Sequence, residues 1–336
     1  MGHDRWRRLL STFISILCLS SILCILLSFT GCSLFQRTKR YTIASNSDKS
    51  VSYVSGSNPY YLGIVFDNRE FLLCDYEGTE LGRLTFESEI VAMDVMNDSI
   101  LLGFGDNHVE EFRIAGSDVD LLCNYSFDCP IETAAFTDRE YSPTPEITVL
   151  LANGELWKND SNDLSEFSLI DENVVSFAYD MYTNSIVYNT TLGELRCFSI
   201  NDYMLTKDLS CLQDVILVEN ACLYLKRDLH IRFLVKTGTR SLYIQEDMDK
   251  KVFSLCDVDY EDYTMIDTSN STDYAILYSR EGKTYYEGSS YNERHTYGVS
   301  GRNPLRISIP EGYKILAVQG GAIYYNEHEV KLLLIK

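Results

Sequence analysis

The sequence has little proline, an excess of acidic over basic side chains, and no basic run beyond its N-terminus. Only 6 of its 336 residues are proline, and 29 Lys and Arg face 49 Asp and Glu, a net charge of −20. So negative a chain repels phosphate backbones, which argues against a nucleic-acid partner. The hydrophobic share of 45% is that of a globular domain and excludes a disordered, collagenous or coiled-coil chain.

Short motifs that mark catalytic and cofactor sites are also missing. The chain contains no Gly-x-Ser-x-Gly, no P-loop, no dinucleotide-binding glycine motif and no Cys-x-x-Cys. Its histidines are far apart, and none belongs to a metal-binding signature. We therefore predict no cofactor and no metal, and we identify no catalytic residue.

A long apolar segment, Leu9 to Phe29, follows three arginines near the N-terminus. It contains no charged side chain, and 21 helical residues at about 1.5 Å each can cross a hydrocarbon core about 30 Å thick. We therefore expect the chain to be targeted to a membrane.

The residues that end this segment, Phe29-Thr30-Gly31-Cys32, resemble the lipobox of bacterial lipoprotein signal peptides. The resemblance implies lipidation of Cys32 and cleavage just before it, although that family prefers leucine where Phe29 stands. An uncleaved signal anchor is the alternative. Either the lipidated Cys32 or the uncleaved segment within residues 1–32 would hold the protein at the cell membrane by its N-terminus, with the main domain extracytoplasmic.

Residues 33–58 are predicted to be a polar, Ser-rich spacer that ends at Asn58-Pro59. Residues 59–336 form the predicted globular domain. Its apolar residues come in runs of four to seven, separated by Asn, Asp, Gly and Ser clusters, and these runs indicate an all-β fold.

The predicted strands recur with a period. An apolar strand, a second apolar strand, a tight turn and an amphipathic strand begin in turn at Ile90, Ile131, Val174 and Val215. We expect the turn at Asn153-Gly154 to be a two-residue hairpin with positive φ at both positions. A period near 41 residues is typical of propeller blades, and the domain length favours seven four-stranded blades. Two β-sandwiches or a barrel are the alternative.

The segment Asn153-Gly154-Glu155-Leu156-Trp157 resembles a turn and strand of bacterial β-propellers with regulator-of-chromosome-condensation-like or WD-repeat-like blades. The resemblance implies the architecture and no activity. We expect Trp157 to pack between blades. Among the cysteines, Cys123 and Cys129 are the one close pair that could form a local disulfide, although buried free thiols are favoured.

One connection is much longer than a hairpin loop. Residues 287–304 combine Tyr, Ser, Gly and Asn with two arginines and a histidine, a composition typical of recognition surfaces. The candidate ligand-binding residues are Tyr291, Arg294, His295, Tyr297 and Arg302.

The sequence therefore favours an extracytoplasmic, membrane-tethered β-propeller that binds a protein, peptide or glycan at the cell envelope. The alternative is an extracytoplasmic hydrolase acting on glycans through carboxylates gathered at the propeller channel. Glu110 and Glu111 are among the abundant carboxylates that keep this alternative open.

Overall fold

All regular structure in the described part of the chain is β-strand. The computed structural model describes residues 38–45, 48–57, 61–116, 118–137, 146–159, 166–180, 185–199, 216–217, 232–237, 240–247, 252–257, 262–267, 274–288, 305–318 and 321–335. These residues contain no helix, so the all-β prediction is confirmed. It follows that none of them forms a helix long and apolar enough to cross a membrane. The apolar segment 9–29 and Cys32 lie outside the described residues.

The described strands form seven antiparallel sheets, and six of these consist of strands consecutive in sequence. The first sheet contains β2 (Val51–Ser57), β3 (Tyr61–Phe66), β4 (Glu70–Asp75) and β5 (Glu80–Thr85). The second contains β6 (Ile90–Met96), β7 (Ser99–Phe104), β8 (His108–Ala115) and β9 (Asp118–Ser126). The third contains β10 (Ile131–Phe136), β11 (Ile147–Leu151), β12 (Leu156–Asn159) and β13 (Phe167–Asp171).

The remaining sheets follow the same order along the chain. The fourth contains β14 (Val174–Asp180), β15 (Ser185–Thr190) and β16 (Leu195–Ser199). The fifth contains β17 (Ile216–Leu217), β18 (Arg232–Thr237), β19 (Arg240–Asp247) and β20 (Val252–Asp257). The sixth contains β21 (Asp262–Asp267), β22 (Tyr274–Arg280), β23 (Lys283–Gly288) and β24 (Leu305–Ile307). The seventh contains β25 (Lys314–Val318), β26 (Gly321–Tyr325), β27 (Glu329–Ile335) and β1 (Thr38–Ser45).

The N-terminal strand closes the last sheet. β1 runs antiparallel to β27, with Thr38 opposite Ile335 and Ser45 opposite Glu329. At the start of β2, the Val51 amide donates to the Glu327 carbonyl at 2.8 Å. The first and last strands that the structure describes are thereby fastened together, and the edge of β27 is paired.

This arrangement corrects the spacer prediction for residues 33–58. Two strands, Thr38–Ser45 and Val51–Ser57, occupy most of that segment. Serine-rich composition suggests flexibility, but apolar residues alternate with polar ones here. Ile43 is buried, and Tyr41 and Val51 pack against the core between the seventh and first sheets.

The first strands of successive sheets confirm the sequence period. β6, β10 and β14 begin at Ile90, Ile131 and Val174 as predicted, and β17 begins at Ile216, one residue after the predicted Val215. Each sheet repeats the same order of short antiparallel strands, so the period corresponds to a structural unit.

The core lies between neighbouring sheets, because the side chains of a strand alternate between its two faces. In β3, Ile64 packs toward the seventh sheet, while Val65 packs toward the second. In β11, Val149 packs toward the second sheet and Leu150 toward the fourth. Both faces of these sheets are apolar, and so their inner strands are almost continuous hydrophobic runs.

The sheets present two ends, which we name by what they carry. The hairpin face holds the hairpins that join the second and third strands of a sheet and the links from one sheet to the next. Backbone hydrogen bonds tie these together: the amides of Ile90, Phe127 and Val174 donate to the carbonyls of Asn68, Asn107 and Gly154. The opposite end is the N-terminal face, because Thr38 begins β1 there.

The hairpin at Asn153-Gly154 lies where predicted but has another geometry. The Gly154 amide donates to the Leu151 carbonyl at 2.8 Å, and the Leu151 amide donates to the Glu155 carbonyl at 2.9 Å. Gly154 has φ of 88°, whereas Asn153 is not among the residues with positive φ. The loop is therefore a tight turn followed by one left-handed residue, the usual three-residue hairpin, rather than a two-residue turn.

Candidate functional site

The hairpin face is strongly acidic. Its described hairpins and links include the cations Lys49 and Arg69. Their carboxylates are more numerous: Asp48, Asp67, Glu87, Glu89, Asp106, Asp128, Glu155, Glu172, Glu194, Glu281, Glu311 and Glu327. A surface of one charge sign attracts oppositely charged partners and increases their association rate.

A pocket of about 330 Å³ opens on this face where the third and fourth sheets meet. One wall is the end of β13 and its link to β14, and the other is the hairpin between β15 and β16. The lining residues are Leu169, Ile170, Asp171, Glu172, Asn173, Thr190, Leu192 and Arg196. The pocket therefore depends on two segments that meet only in the folded chain.

An ion pair joins the two walls. Arg196 donates from Nη1 to Asp171 Oδ2 at 2.6 Å and from Nη2 to Glu194 Oε2 at 2.6 Å. Asp171 also accepts the Tyr188 hydroxyl at 2.9 Å. Burial alone would raise the pKa of Asp171, but the hydrogen bonds from Arg196, the Glu172 amide and Tyr188 hold that pKa below its ordinary value. The carboxylate is thus ionised at neutral pH.

Two leucines of the pocket are unusually exposed. Leu192, in the β15–β16 hairpin, is 77% exposed, and Leu169 on β13 is 41% exposed. A single exposed leucine is common on soluble proteins, but two in one pocket form an apolar patch. The sequence motifs did not predict this site. A signal was present, since Leu192 occupies the turn position that Asn153 holds in the preceding repeat.

A second polar group surrounds His108 on the same face. His108 Nδ1 lies 2.6 Å from Asp106 Oδ1, and Nε2 lies 3.7 Å from Glu110 Oε1. The ring stacks on Phe104 with 4.3 Å between centroids. Ser88 donates to Asp106 rather than to the histidine, so the order of a serine, histidine and carboxylate triad is not present.

The two carboxylates named for the hydrolase alternative, Glu110 and Glu111, do not point into one site. Glu110 and Glu111 are consecutive on β8, the third strand of its sheet, so their side chains point to opposite faces. Burial raises the pKa of both, but Glu111 is held by the Tyr125 hydroxyl at 3.2 Å while Glu110 lies near His108. Within the described part of the chain, no three His, Cys, Asp or Glu side chains form a group that could hold a metal ion.

The other predicted residues have mixed outcomes. Tyr291, Arg294, His295, Tyr297 and Arg302 lie outside the described residues, which resume at Leu305. Cys123 and Cys129 are free thiols, not a disulfide. Trp157 packs against the apolar core shared by the second and third sheets, and its Nε1 donates to Glu155 Oε2 at 3.0 Å.

Comparison with known proteins identifies the architecture only through solved structures. No family model and no curated protein sequence matches the chain. The β-propeller domain of Cps50 (Swd1) from Myceliophteria thermophila is similar over 89% of this chain and 98% of its own, with a TM-score of 0.53 and 11% identity. The WD40 domain of coronin from Toxoplasma gondii is similar over 90% and 87%, with a TM-score of 0.51 and 9% identity.

A third similar structure is YCF48 bound to D1 peptide, which covers 90% of this chain and 95% of its own, with a TM-score of 0.52 and 9% identity. Identities this low indicate the fold alone. The chain has a β-propeller fold, and the predicted fold class is therefore confirmed.

Proposed function

We propose that this chain is a seven-bladed β-propeller, tethered outside the cytoplasm by its N-terminus, that binds a protein partner through the hairpin face. The tether is the apolar segment 9–29 or a lipid on Cys32. The observation that carries the proposal is the acidic hairpin face with its pocket, at the end of the sheets opposite the start of β1.

The position of β1 supports an orientation relative to the membrane. Residues 33–37 separate Cys32 from Thr38, and five extended residues span at most about 18 Å. So short a connection would hold the N-terminal face close to the bilayer. The hairpin face then points away from the membrane and is accessible to other molecules.

The charge of the hairpin face supports a protein as the partner. Carboxylates have little electrostatic attraction for an uncharged glycan, whereas a protein can present Lys and Arg side chains in a complementary pattern. Among the proteins of similar fold, YCF48 is bound to a peptide. A rigid propeller that carries loops at one end can present such a surface without reorganising its core.

Site-specific photo-cross-linking in the native membrane tests this proposal. A photoreactive residue replaces Arg69, Asn153 or Glu327 on the hairpin face, and Glu77 or Asp98 on the N-terminal face serves as the matched control. We expect the three hairpin positions to yield an adduct with one protein and the control positions to yield none. Absence of any adduct from the hairpin face contradicts the proposal, and binding of the purified chain to a glycan array in its place would identify a glycan ligand.

A further inference from the structure

The pocket between the third and fourth sheets combines an apolar rim with an anionic wall. Leu192 and Leu169 provide the rim. Asp171 and Glu172 line the pocket, and Glu194 lies beside it as an ion-pair partner of Arg196. Against these three carboxylates stands the single guanidinium of Arg196, so the pocket region has a net negative charge. A ligand that fits must bury apolar surface and bring positive charge.

The walls are held by contacts that do not depend on a ligand. The Thr191 amide donates to the Asn173 carbonyl at 2.7 Å, and the Val174 amide donates to the Gly154 carbonyl at 2.8 Å. Asn173 has φ of 62°, a conformation that asparagine tolerates better than most residues. Because the bond from Thr191 to Asn173 and the ion pair of Arg196 already join the two walls, and the Val174 bond holds one wall to the preceding hairpin, little ordering is needed on binding.

The geometry points to a basic segment of a protein partner that inserts one apolar side chain between Leu169 and Leu192. This inference rests on the proposed function and names the chemistry of its partner. Lys or Arg on either side of the apolar residue would contact Glu172 and Glu194 on the anionic wall. The volume of 330 Å³ is at the small end of the range for ligand pockets, which suits a side chain better than a larger cofactor.

Arg196 has a structural role in this arrangement. Both of its terminal nitrogens are engaged by carboxylates, and its pKa is raised by its hydrogen bonds with Asp171 and Glu194. It therefore neutralises part of the charge of Asp171 and Glu194 and fixes the hairpin against β13. The uncompensated charge is that of Glu172, which is exposed on the anionic wall.

The test is selection of a seven-residue peptide library, displayed on phage, against the full-length chain in nanodiscs of zwitterionic lipid. We expect the enriched peptides to carry one large apolar residue flanked by Lys or Arg. Enrichment of acidic or wholly polar peptides, or of none, contradicts the inference. The best synthetic peptide is then titrated by fluorescence anisotropy.

Two matched pairs of variants separate the pocket from the rest of the face. Leu192→Glu is expected to weaken peptide binding at least tenfold, whereas Leu122→Glu, at a 47% exposed leucine of β9, leaves it unchanged. Glu172→Lys is expected to weaken it similarly, whereas Glu87→Lys at a distant exposed carboxylate has a small effect. All four positions are exposed, so folding is preserved.

The outcomes distinguish this inference from the proposed function. Peptide binding that is equal in wild type and Leu192→Glu overturns the pocket but leaves the protein-binding role in place, provided that hairpin positions still cross-link to a partner. Loss of cross-linking at every hairpin position overturns the role itself.

Discussion

The Lys158 ammonium lies 2.5 Å from the Glu146 carboxylate inside the third sheet, where the side chains are 10% and 2% exposed. Lys158 also donates to the Asn159 carbonyl at 3.0 Å. Two charges taken out of water stabilise a fold only while they remain paired, because either one alone has lost its hydration without compensation.

Removal of one partner of this pair is therefore expected to be severe. Lys158→Met should lower the free energy of unfolding by about 3–5 kcal/mol, since it leaves Glu146 buried and unpaired. The double variant Glu146→Leu, Lys158→Met should lose much less. Urea unfolding followed by tryptophan fluorescence measures these two variants and the single variant Glu146→Leu, and simple additivity of the two single substitutions would contradict the coupling.

The repeated sheets could be predicted from the sequence because an inner strand has a local hydrophobic pattern. An inner strand buried on both faces is a continuous apolar run, and the starts at Ile90, Ile131 and Val174 were found in this way. The pairing of Thr38 with Ile335 has no local pattern of this kind, because β1 pairs with a strand that is far from it in the sequence. The serines near it therefore suggested a spacer.

The sequence did not predict the pocket either, because its walls come from segments that are separate in the sequence and meet only in the fold. Arg196 and Asp171 belong to different sheets, and nothing in their spacing indicates that they bond. The exposure of Leu192 depends on the hairpin that carries it. The sequence shows only that Leu192 stands where the preceding repeat has the turn-forming Asn153.

Gly154 is expected to be required for both its conformation and its small size. It has φ of 88°, and a Cβ there would lie 3.3 Å from backbone atoms of Asn173 and Val174. Gly154→Ala should destabilise the domain by about 1–3 kcal/mol. Gly312→Ala is the control, because Gly312 has φ of 83° but no atom within 4 Å of its added Cβ. Equal melting temperatures for the two variants would show that the close approach has no effect.

Glu70 and Glu111 are expected to affect acid stability in opposite directions. The hydrogen bond from Lys49, joined by Arg83 and opposed in part by burial, holds the pKa of Glu70 below its ordinary value. Glu70 therefore contributes stability above its unfolded pKa near ~4.3, and this contribution is lost as the pH falls through the folded pKa. Burial raises the pKa of Glu111, so its ionised form costs stability at neutral pH, and the cost disappears on acidification.

Thermal unfolding across the range from about pH 3 to about pH 8 tests this pair. Glu70→Gln should lower the melting temperature at neutral pH and flatten the acid side of the curve. Glu111→Gln should raise it at neutral pH, because an amide oxygen can still accept the Tyr125 hydroxyl without a charge. A fall in neutral stability for both variants would show that Glu111 stabilises the fold as a carboxylate.

The predicted loop 287–304 begins inside β23, which ends at Gly288, and its remaining residues, 289–304, stay a predicted recognition element. Simultaneous substitution of Tyr291, Arg294 and Tyr297 by Ala should leave the melting temperature nearly unchanged, since a long surface loop adds little to a core. The sequence predicts that it also reduces partner capture, because aromatic and Arg side chains dominate interface energetics. The connection leaves β23 and returns to β24 at the N-terminal face, so reduced capture would count against binding through the hairpin face alone. A large loss of stability would show that the loop is packed, and undiminished capture would restrict binding to the hairpin pocket.

The proposed orientation of the hairpin face depends on the N-terminal anchor. Substitution of Cys32 tests whether that anchor is a lipid. If Cys32 is lipidated and the chain is cut before it, wild type should incorporate a fatty-acid analogue and lack residues 1–31. Cys32→Ser should then lose the label and accumulate as the larger precursor. A control change of the neighbouring Ser33 to Ala should label and mature normally. A wild-type chain that stays unlabelled and retains its N-terminus would instead be a signal anchor, still joined to β1 through the residues that end at Arg37.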